Sequence, residues 1–503
     1  MGVENQHKDY TAMCNKWQRC IDVAKGPDAV LARGPTYLPK LSEQSEAEYL
    51  AYKTRTIFYN ATWRTIVGLQ GMLFRKPPKI VVPELVKDML EDINLSGTSM
   101  HIFALTAAEE CLKLGRLGIY VDYPVVEVGA TRADAIVLNH RPSMKLYSAL
   151  SIINWKTKTI NNKTCLSMVV LKEAVDVAKD EFTDEELIQY RVLDLMESNG
   201  KYIYRVRIFV KDKEGKDLQV GESVFPKIAG KSLEYIPFQF VGVDDVSWTV
   251  DEPPLIDLVD VNLSHYRTTA DYEHGCHFTG LPTPIVSGYT ADSNNPEKFC
   301  IGSTTAWVFP RPDAKAFFLE FTGAGLSALK DNLERKEGYM AILGARMLEV
   351  NVKGGVESAN TAALHRGGEQ SMLSSVSQAI SMGIAKALKI FCEFAGVPTE
   401  KVEFLLNRDF FPVPMDALTL TSIIAGWQNG AYSYDSMLAL LQKGEMVDPD
   451  KTVEDEIKLI EKNPYVPPLD PNVAVTPGEQ SPKAKATDST PAPTGTQLRN
   501  GSK

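Results

Sequence analysis

From Leu373 onward, apolar residues recur at steps of three and four: Leu373, Val376, Ile380, Ile384, Leu388, Phe391 and Phe394. That spacing follows the helical turn and draws one stripe down a helix, opposite Ser377, Gln378, Ser381, Lys386 and Lys389. Ser358 is placed to cap its start, Gly396 to end it, and Pro398 forbids continuation. The pattern therefore predicts about forty residues in one rod of roughly 55–60 Å at 1.5 Å per residue. Just upstream, Asn351–Val356 carries Gly354 and Gly355; glycines can adopt backbone conformations closed to other residues, so a short loop is predicted. Further upstream, helices are predicted over Pro254–Phe278 and about Gly325–Leu348. A strand-prone block punctuated by Pro and Gly, Gly280–Phe321, lies between them. The order is helix, small β module, helix, glycine loop, long helix.

The N-terminal half reads as a mixture of helix and strand. A helical piece around Tyr10–Ala24 leads into a strap through Pro35 and Pro39, with little apolar surface of its own, so it is expected to lie on a larger body. A long helix is predicted from the cap region Ser42–Glu46 to Pro77-Pro78, with Phe58, Thr62, Ile66, Leu69 and Leu73 on one face. Arg64, Arg75, Lys76 and Lys79 gather near its end and read as cations facing a helix C-terminus, with a phosphate contact as the lesser reading. Helix Thr98–Leu114 ends at Gly115 and feeds the strand Leu117–Pro124. The glycines of Gly115-Arg116-Leu117-Gly118 follow a helix and open a strand, the reverse of a nucleotide-binding turn.

From Ile152 to Val243 the pattern turns to β. Ile152–Thr159 and Cys165–Glu173 flank Asn161-Asn162-Lys163, and Tyr190–Met196 pairs with Tyr202–Val210 across Asn199-Gly200. Between these hairpins Thr183-Asp184-Glu185-Glu186 reads as a capping box opening a short helix, and the meander closes at Ile236–Gly242. Beyond the long helix, Val402–Pro414 reads as an irregular link. Three short helices follow: Leu418–Trp427, Tyr434–Lys443 capped by Ser433, and Val453–Glu461 capped by Thr452 with Asp455. From Pro464 onward there are eight prolines and almost no large apolar residues, a composition that predicts disorder.

Charge narrows the function classes. The net charge of −10 over 503 residues argues against a protein that grips nucleic acid, because such proteins hold phosphates with surplus Lys and Arg. It leaves open a conduit through which DNA slides, since a strongly basic channel would hold the duplex tightly. The seven cysteines are scattered without a CxxC pair and read as reduced thiols. No apolar leader and no membrane-length run is present, so neither secretion nor a membrane span is expected.

No phosphate loop, zinc-protease or serine-elbow motif occurs. His265, His274 and His277 share one predicted helix without further ligands at hand. Asp176, Asp180 and Asp184 are spaced by four, where a calcium loop needs two. The carboxylates Glu109-Glu110 and Asp184-Glu185-Glu186 fall on helix ends or solvated faces. The reading is a non-enzyme with no catalytic residues, no metal and no cofactor.

Several phrases carry a resemblance. Leu255-Ile256-Asp257-Leu258-Val259-Asp260-Val261-Asn262-Leu263-Ser264-His265-Tyr266 and Glu357-Ser358-Ala359-Asn360-Thr361-Ala362-Ala363 stand within the element order described above. With Gly115–Pro124, Gly430-Ala431-Tyr432-Ser433 and Leu440–Glu445, they resemble the portal proteins of tailed bacteriophages, in a subgroup formerly catalogued as phage proteins of unknown function. The resemblance spans roughly Leu41 to Lys462.

It implies an α+β chain with the portal fold: wing, helical stem, clip and small α-helical crown. The implied divisions are an N-terminal strap 1–41, wing 42–250, first stem helix 251–279, clip 280–321, second stem helix 322–348 and tunnel loop 349–357. A long wing and tunnel helix 358–398, crown 399–463 and disordered tail 464–503 complete them. It further implies a homo-oligomeric ring of about twelve subunits at one capsid vertex of the virion, assembled in the host cytoplasm. The ring would pass double-stranded DNA non-specifically during packaging and ejection. Its implied partners are the terminase packaging motor, major capsid or scaffold protein, and head-completion or tail adaptor proteins, with no membrane.

On that plan Lys353, Arg346, Lys336 and Lys330 would face the DNA channel, with Gly354 and Gly355 as the tunnel-loop hinge. Mixed charges on the second stem helix (Lys330, Asp331, Glu334, Arg335, Lys336, Glu337) suit a wall with one face to a neighbour and one to the lumen. A capsid-associated scaffold or adaptor without a DNA channel is the alternative; it would share the composition but would not need this element order.

Overall fold

The computed structural model describes residues 2–124, 139–228, 230–281, 283–287, 313, 315–319, 323–344, 359–408, 410, 417–444, 446–448 and 451–462. The chain forms two compact units, Met1–Phe411 and Pro412–Lys503. The first begins with α1 (Lys8–Lys25), α2 (Pro27–Ala32), α3 (Glu46–Arg55), α4 (Ala61–Leu73), β1 (Lys79–Val81), α5 (Glu84–Lys87) and α6 (Met100–Leu114). Strands β2 (Arg116–Asp122), β3 (Ser143–Ser148), β4 (Ile152–Ile160), β5 (Lys163–Ala178), β6 (Asp184–Ser198), β7 (Lys201–Lys211) and β8 (Asp217–Val224) follow. The short β9 (Lys227–Ile228) and β10 (Lys231–Ser232) pair with each other and lead to β11 (Phe238–Gly242). Then come α7 (Ile256–Gly280), β12 (Thr283–Ser287), β13 (Lys315–Leu319), α8 (Ala324–Leu343), α9 (Ala359–Phe394) and β14 (Glu403–Leu405). The second unit holds α10 (Ala417–Gln428), α11 (Tyr434–Lys443) and α12 (Val453–Lys462).

The chain is mixed α and β, with the strands antiparallel. A three-stranded sheet in the order β11-β2-β3 lies beside a five-stranded meander β4-β5-β6-β7-β8. Both two-residue hairpins form where the sequence places them. Asn161 and Asn162 have φ of 50° and 59°, and Asn199 and Gly200 have 51° and 72°, the left-handed pair that a tight turn requires. The sheets meet through buried tyrosines, with the Tyr120 and Tyr204 hydroxyls 3.1 Å apart. Trp17 of α1 is fully buried and its indole donates to the Leu114 carbonyl at 3.0 Å, so the first helix is keyed into the core.

All seven stripe residues of α9 are buried, as the periodicity predicts. The helix ends in the double bond pattern of a glycine cap: Gly396 (φ 71°) donates to Glu393 O at 3.1 Å and Val397 to Cys392 O at 3.0 Å. Two expectations about its polar face are corrected: Ser377 and Ser381 are buried. Ser377 Oγ donates to Asn407 O at 3.1 Å, and Ser381 Oγ accepts from Leu406 N at 3.0 Å. Their partners belong to the stretch read as an irregular link, which instead contains β14 paired antiparallel with β1.

Three further readings change. The single helix from Ser42 is two, α3 and α4. The capping box sits at Ser45 and Glu48, Thr56 is extended (φ −75°, ψ 150°), and Asn60 starts the second helix by accepting from Trp63 N. The break is held from outside: the buried Asn262 of α7 donates to Tyr59 O at 2.7 Å and accepts from Thr62 N at 3.2 Å. The short helix at Thr183–Glu186 is replaced by a hairpin turn, in which Lys179 N donates to Thr183 O at 2.8 Å and β5 pairs with β6 out to Ala178↔Asp184. A one-turn helix has an unfavourable nucleus and loses to this long ladder. The Phe238–Gly242 strand closes the three-stranded sheet against β2 rather than the meander. In the second unit Ser433 caps α11 and Thr452 caps α12, as read from sequence. The tail from 464 lies outside the described residues.

Candidate functional site

The helices α7 and α8 form an antiparallel hairpin. At one end a Cβ on Gly275 would stand 2.7 Å from Leu326 Cδ2; at the other a Cβ on Gly344 would stand 2.9 Å from Leu258 Cδ2. Between these ends His265 Nε2 lies 3.4 Å from Glu337 Oε1. The body of the chain holds the N-terminal part of α7. Tyr52 donates to Asp271 at 2.6 Å, Arg267 donates to Tyr37 O at 2.9 Å, and Arg19 pairs with Asp260 at 3.0 Å. Ten residues of α7 are buried, from Ile256 to Ala270.

α8 differs. Of its 20 residues only Met340 is buried, against Leu258 and Ala61. Tyr339, Ile342 and Leu343 are 50%, 53% and 40% exposed at one end of the hairpin. At the other end Phe278, Leu281, Phe317 and Phe318 are also exposed, and there β12 and β13 pair antiparallel. Along the exposed positions of α8 polar groups pair within the helix: Lys330 lies 3.7 Å from Glu334, and Arg335 donates to the Asn332 amide oxygen at 2.9 Å.

Four of the six candidate channel and hinge residues, Arg346, Lys353, Gly354 and Gly355, lie outside the described residues. The other two are far from equivalent. Lys330 is exposed. Lys336 turns its ammonium inward, donating to Ser264 O at 3.0 Å and to the Thr268 hydroxyl. Burial, then the neighbouring Arg267 and Arg335, push its pKa below the usual lysine value. Its observed role is to tie α8 to α7.

Among the described residues no group of three or more His, Cys, Asp and Glu side chains is placed to hold a metal ion, and their cysteines are free. His274 stacks edge-on with Tyr52 and Phe278, and burial lowers its pKa. No described helix is long and apolar enough to cross a membrane.

Sequence reasoning missed two features. Arg116, read only as part of a glycine motif, is 1% exposed and lies between Trp155 and Phe240. Beside it a cavity of about 890 Å³ opens between His7, Trp155, Lys156 and Trp248. Those residues come from widely separated parts of the chain, so no local spacing points to them.

A protein-family model described as a domain of unknown function (DUF4055) matches residues 254–395, from the start of α7 to the end of α9. No curated protein matches the chain. Among solved structures, a chain of the "Neck of empty GTA particle computed with C6 symmetry" is 12% identical, with 76% of this chain and 90% of that chain covered at a TM-score of 0.37. A chain of the "Virion of native gene transfer agent (GTA) particle" is 10% identical, with 82% and 98% covered at the same score. TM-scores this low do not establish a shared fold.

Proposed function

We propose that this chain is a portal subunit: about twelve copies close into a ring at one capsid vertex. The ring passes double-stranded DNA during packaging and ejection, and it docks the packaging motor and then the head-completion and tail proteins. The observation that carries the reading is the bareness of α8, a 20-residue helix with one buried side chain. Helices in proteins draw most of their stability from packing an apolar face rather than from propensity. A neighbouring copy supplies the missing cover. The resemblance in sequence assigns the rest.

On this reading α7 and α8 are the stem, the β12–β13 module is the clip, and residues 349–357 are the tunnel loop. α9 spans the wing, and α10, α11 and α12 make a short crown. Lys353 and Arg346 face DNA, Gly354 and Gly355 let the loop follow the grooved polymer, and Lys330 lines the stem with its charge shared with Glu334. Lys336 serves the hairpin. Alternating charges leave a lumen that does not hold DNA, in keeping with a net charge of −10.

Light scattering on the purified chain tests this. The expected species has about twelve times the 55.7 kDa chain mass. A monomer or dimer that persists at high concentration and in the presence of capsid and scaffold protein would overturn it.

A further inference from the structure

The five-stranded sheet is unfinished at one end, on both sides of β5 and β6. β4 pairs with β5 only as far as Ile152↔Leu171, and β7 pairs with β6 only from Gln189. From Lys172 and Ile188 outward, β5 and β6 therefore run on as a two-stranded ribbon with no neighbouring strand on either side among the described residues. At about 3.3 Å per residue the ribbon overhangs the sheet by roughly 20–25 Å. Residues 176–187 are all exposed, and Phe182 at the turn is 89% exposed. A lone ribbon of this kind is marginal in water, and its open edges are templates for another strand. Between Asp176 and Glu186 stand six carboxylates and one lysine.

The opposite corner has the complementary character. β4 is an edge strand of the same sheet. Its first residues are covered by the N-terminal segment, through His7 N to Ile153 O and Asn154 to Asn5 O, each at 2.9 Å. Beyond that cover, Lys156, Thr157, Lys158 and Thr159 are exposed. Lys163 and Lys201 stand at the adjoining turns; the carboxylates nearby are Glu197, 3.5 Å from Lys158, and Asp9, which shares a cavity wall with Lys156 and with Lys8. Lysines on an open edge repel a second edge like themselves and admit an acidic one.

We infer that the acidic β5–β6 ribbon of one copy adds to the lysine-bearing β4 edge of the next copy. The occupant is a second copy because both halves of the contact are on this chain, at opposite ends of one sheet. The contact is therefore head-to-tail, the kind that propagates around a ring, whereas two β4 edges meeting face to face would set lysine against lysine. The inference rests on the ring proposal and names one of its subunit contacts.

Charge exchange in the full chain tests it. Asp184→Lys with Glu185→Lys and Glu186→Lys reverses the ribbon; Lys156→Glu with Lys158→Glu reverses the edge. Each set alone is expected to raise the concentration needed for assembly at least tenfold, and the two together to restore it. In a second measurement, a chain carrying both Glu185→Cys and Thr157→Cys is treated with a short bis-maleimide. With the native Cys14, Cys165, Cys276 and Cys300 replaced by Ser throughout, it is expected to give a ladder of covalent multimers that neither substitution gives alone. Assembly by the reversed ribbon at wild-type concentration, or rings that yield no ladder, would overturn this contact and leave the ring proposal standing. Failure of the wild-type chain to assemble at all would overturn both.

Discussion

At Arg116 a charged group is held almost entirely by aromatic faces and carbonyls. The guanidinium carbon lies 4.2 Å from the ring centres of both Trp155 and Phe240, and Nη1 donates to Trp248 O and Thr249 O at 3.0 and 3.1 Å. Burial pushes its pKa down to about 9, against the pull of Asp251. Arg116→Ala removes two desolvated cation–π contacts and strands two carbonyls, an expected loss of about 2–4 kcal/mol in urea unfolding. Arg116→Met, which keeps the packing and removes the buried charge, should lose clearly less.

The histidines give a pH signature. Burial lowers the pKa of His7, His265 and His274. His265 is 5% exposed, with Glu337 opposing the shift and Lys336 adding to it. The unfolded chain then takes up protons first, so this stability is fully present above about pH 6.5 and declines as pH falls from there through the folded-state value. Tm should drop between pH 7.5 and 5.5, and His265→Gln should flatten the drop; an unchanged slope would contradict it. Neither environment is legible in sequence, because the groups around Arg116 and His265 arrive from distant segments.

Elements built from local rules were legible. The α9 stripe, the glycine cap at Gly396, the Asn-Asn and Asn-Gly turns and the Ser433 and Thr452 caps each depend on residues a few positions apart. What failed depended on long-range partners. Asn262 breaks the predicted helix at Thr56–Asn60, β1 draws a strand from the link after α9, and that strand's neighbours bury Ser377 and Ser381. Two glycines separate packing from propensity. A Cβ on Gly383 would come within 2.3 Å of Val241 Cγ2, where α9 presses on β11, so Gly383→Ala should destabilise by about 1–3 kcal/mol. Gly338 in α8 has nothing within 4 Å, so Gly338→Ala should stabilise the single chain by about 0.5–1 kcal/mol. Thermal unfolding of both variants checks the contrast.

For the whole molecule the decisive feature is surface left without cover. The element order from α7 to α9 was readable from periodicity and punctuation. That α8 would be nearly bare was not, because mixed charged and apolar faces fit a helix packed on either its own chain or another. Replacing Tyr339 and Ile342 by Ser should leave the Tm of the unassembled chain within about 1 °C, since both side chains are exposed, yet reduce assembly severalfold. Equal loss of monomer stability would place those side chains in the chain's own core instead.

The most direct test of the central claim is negative-stain electron microscopy of the purified protein. The account predicts closed rings of about twelve subunits with a central hole wide enough for a DNA duplex. Compact particles of one or two chains, unchanged when capsid and scaffold protein are added, would contradict it.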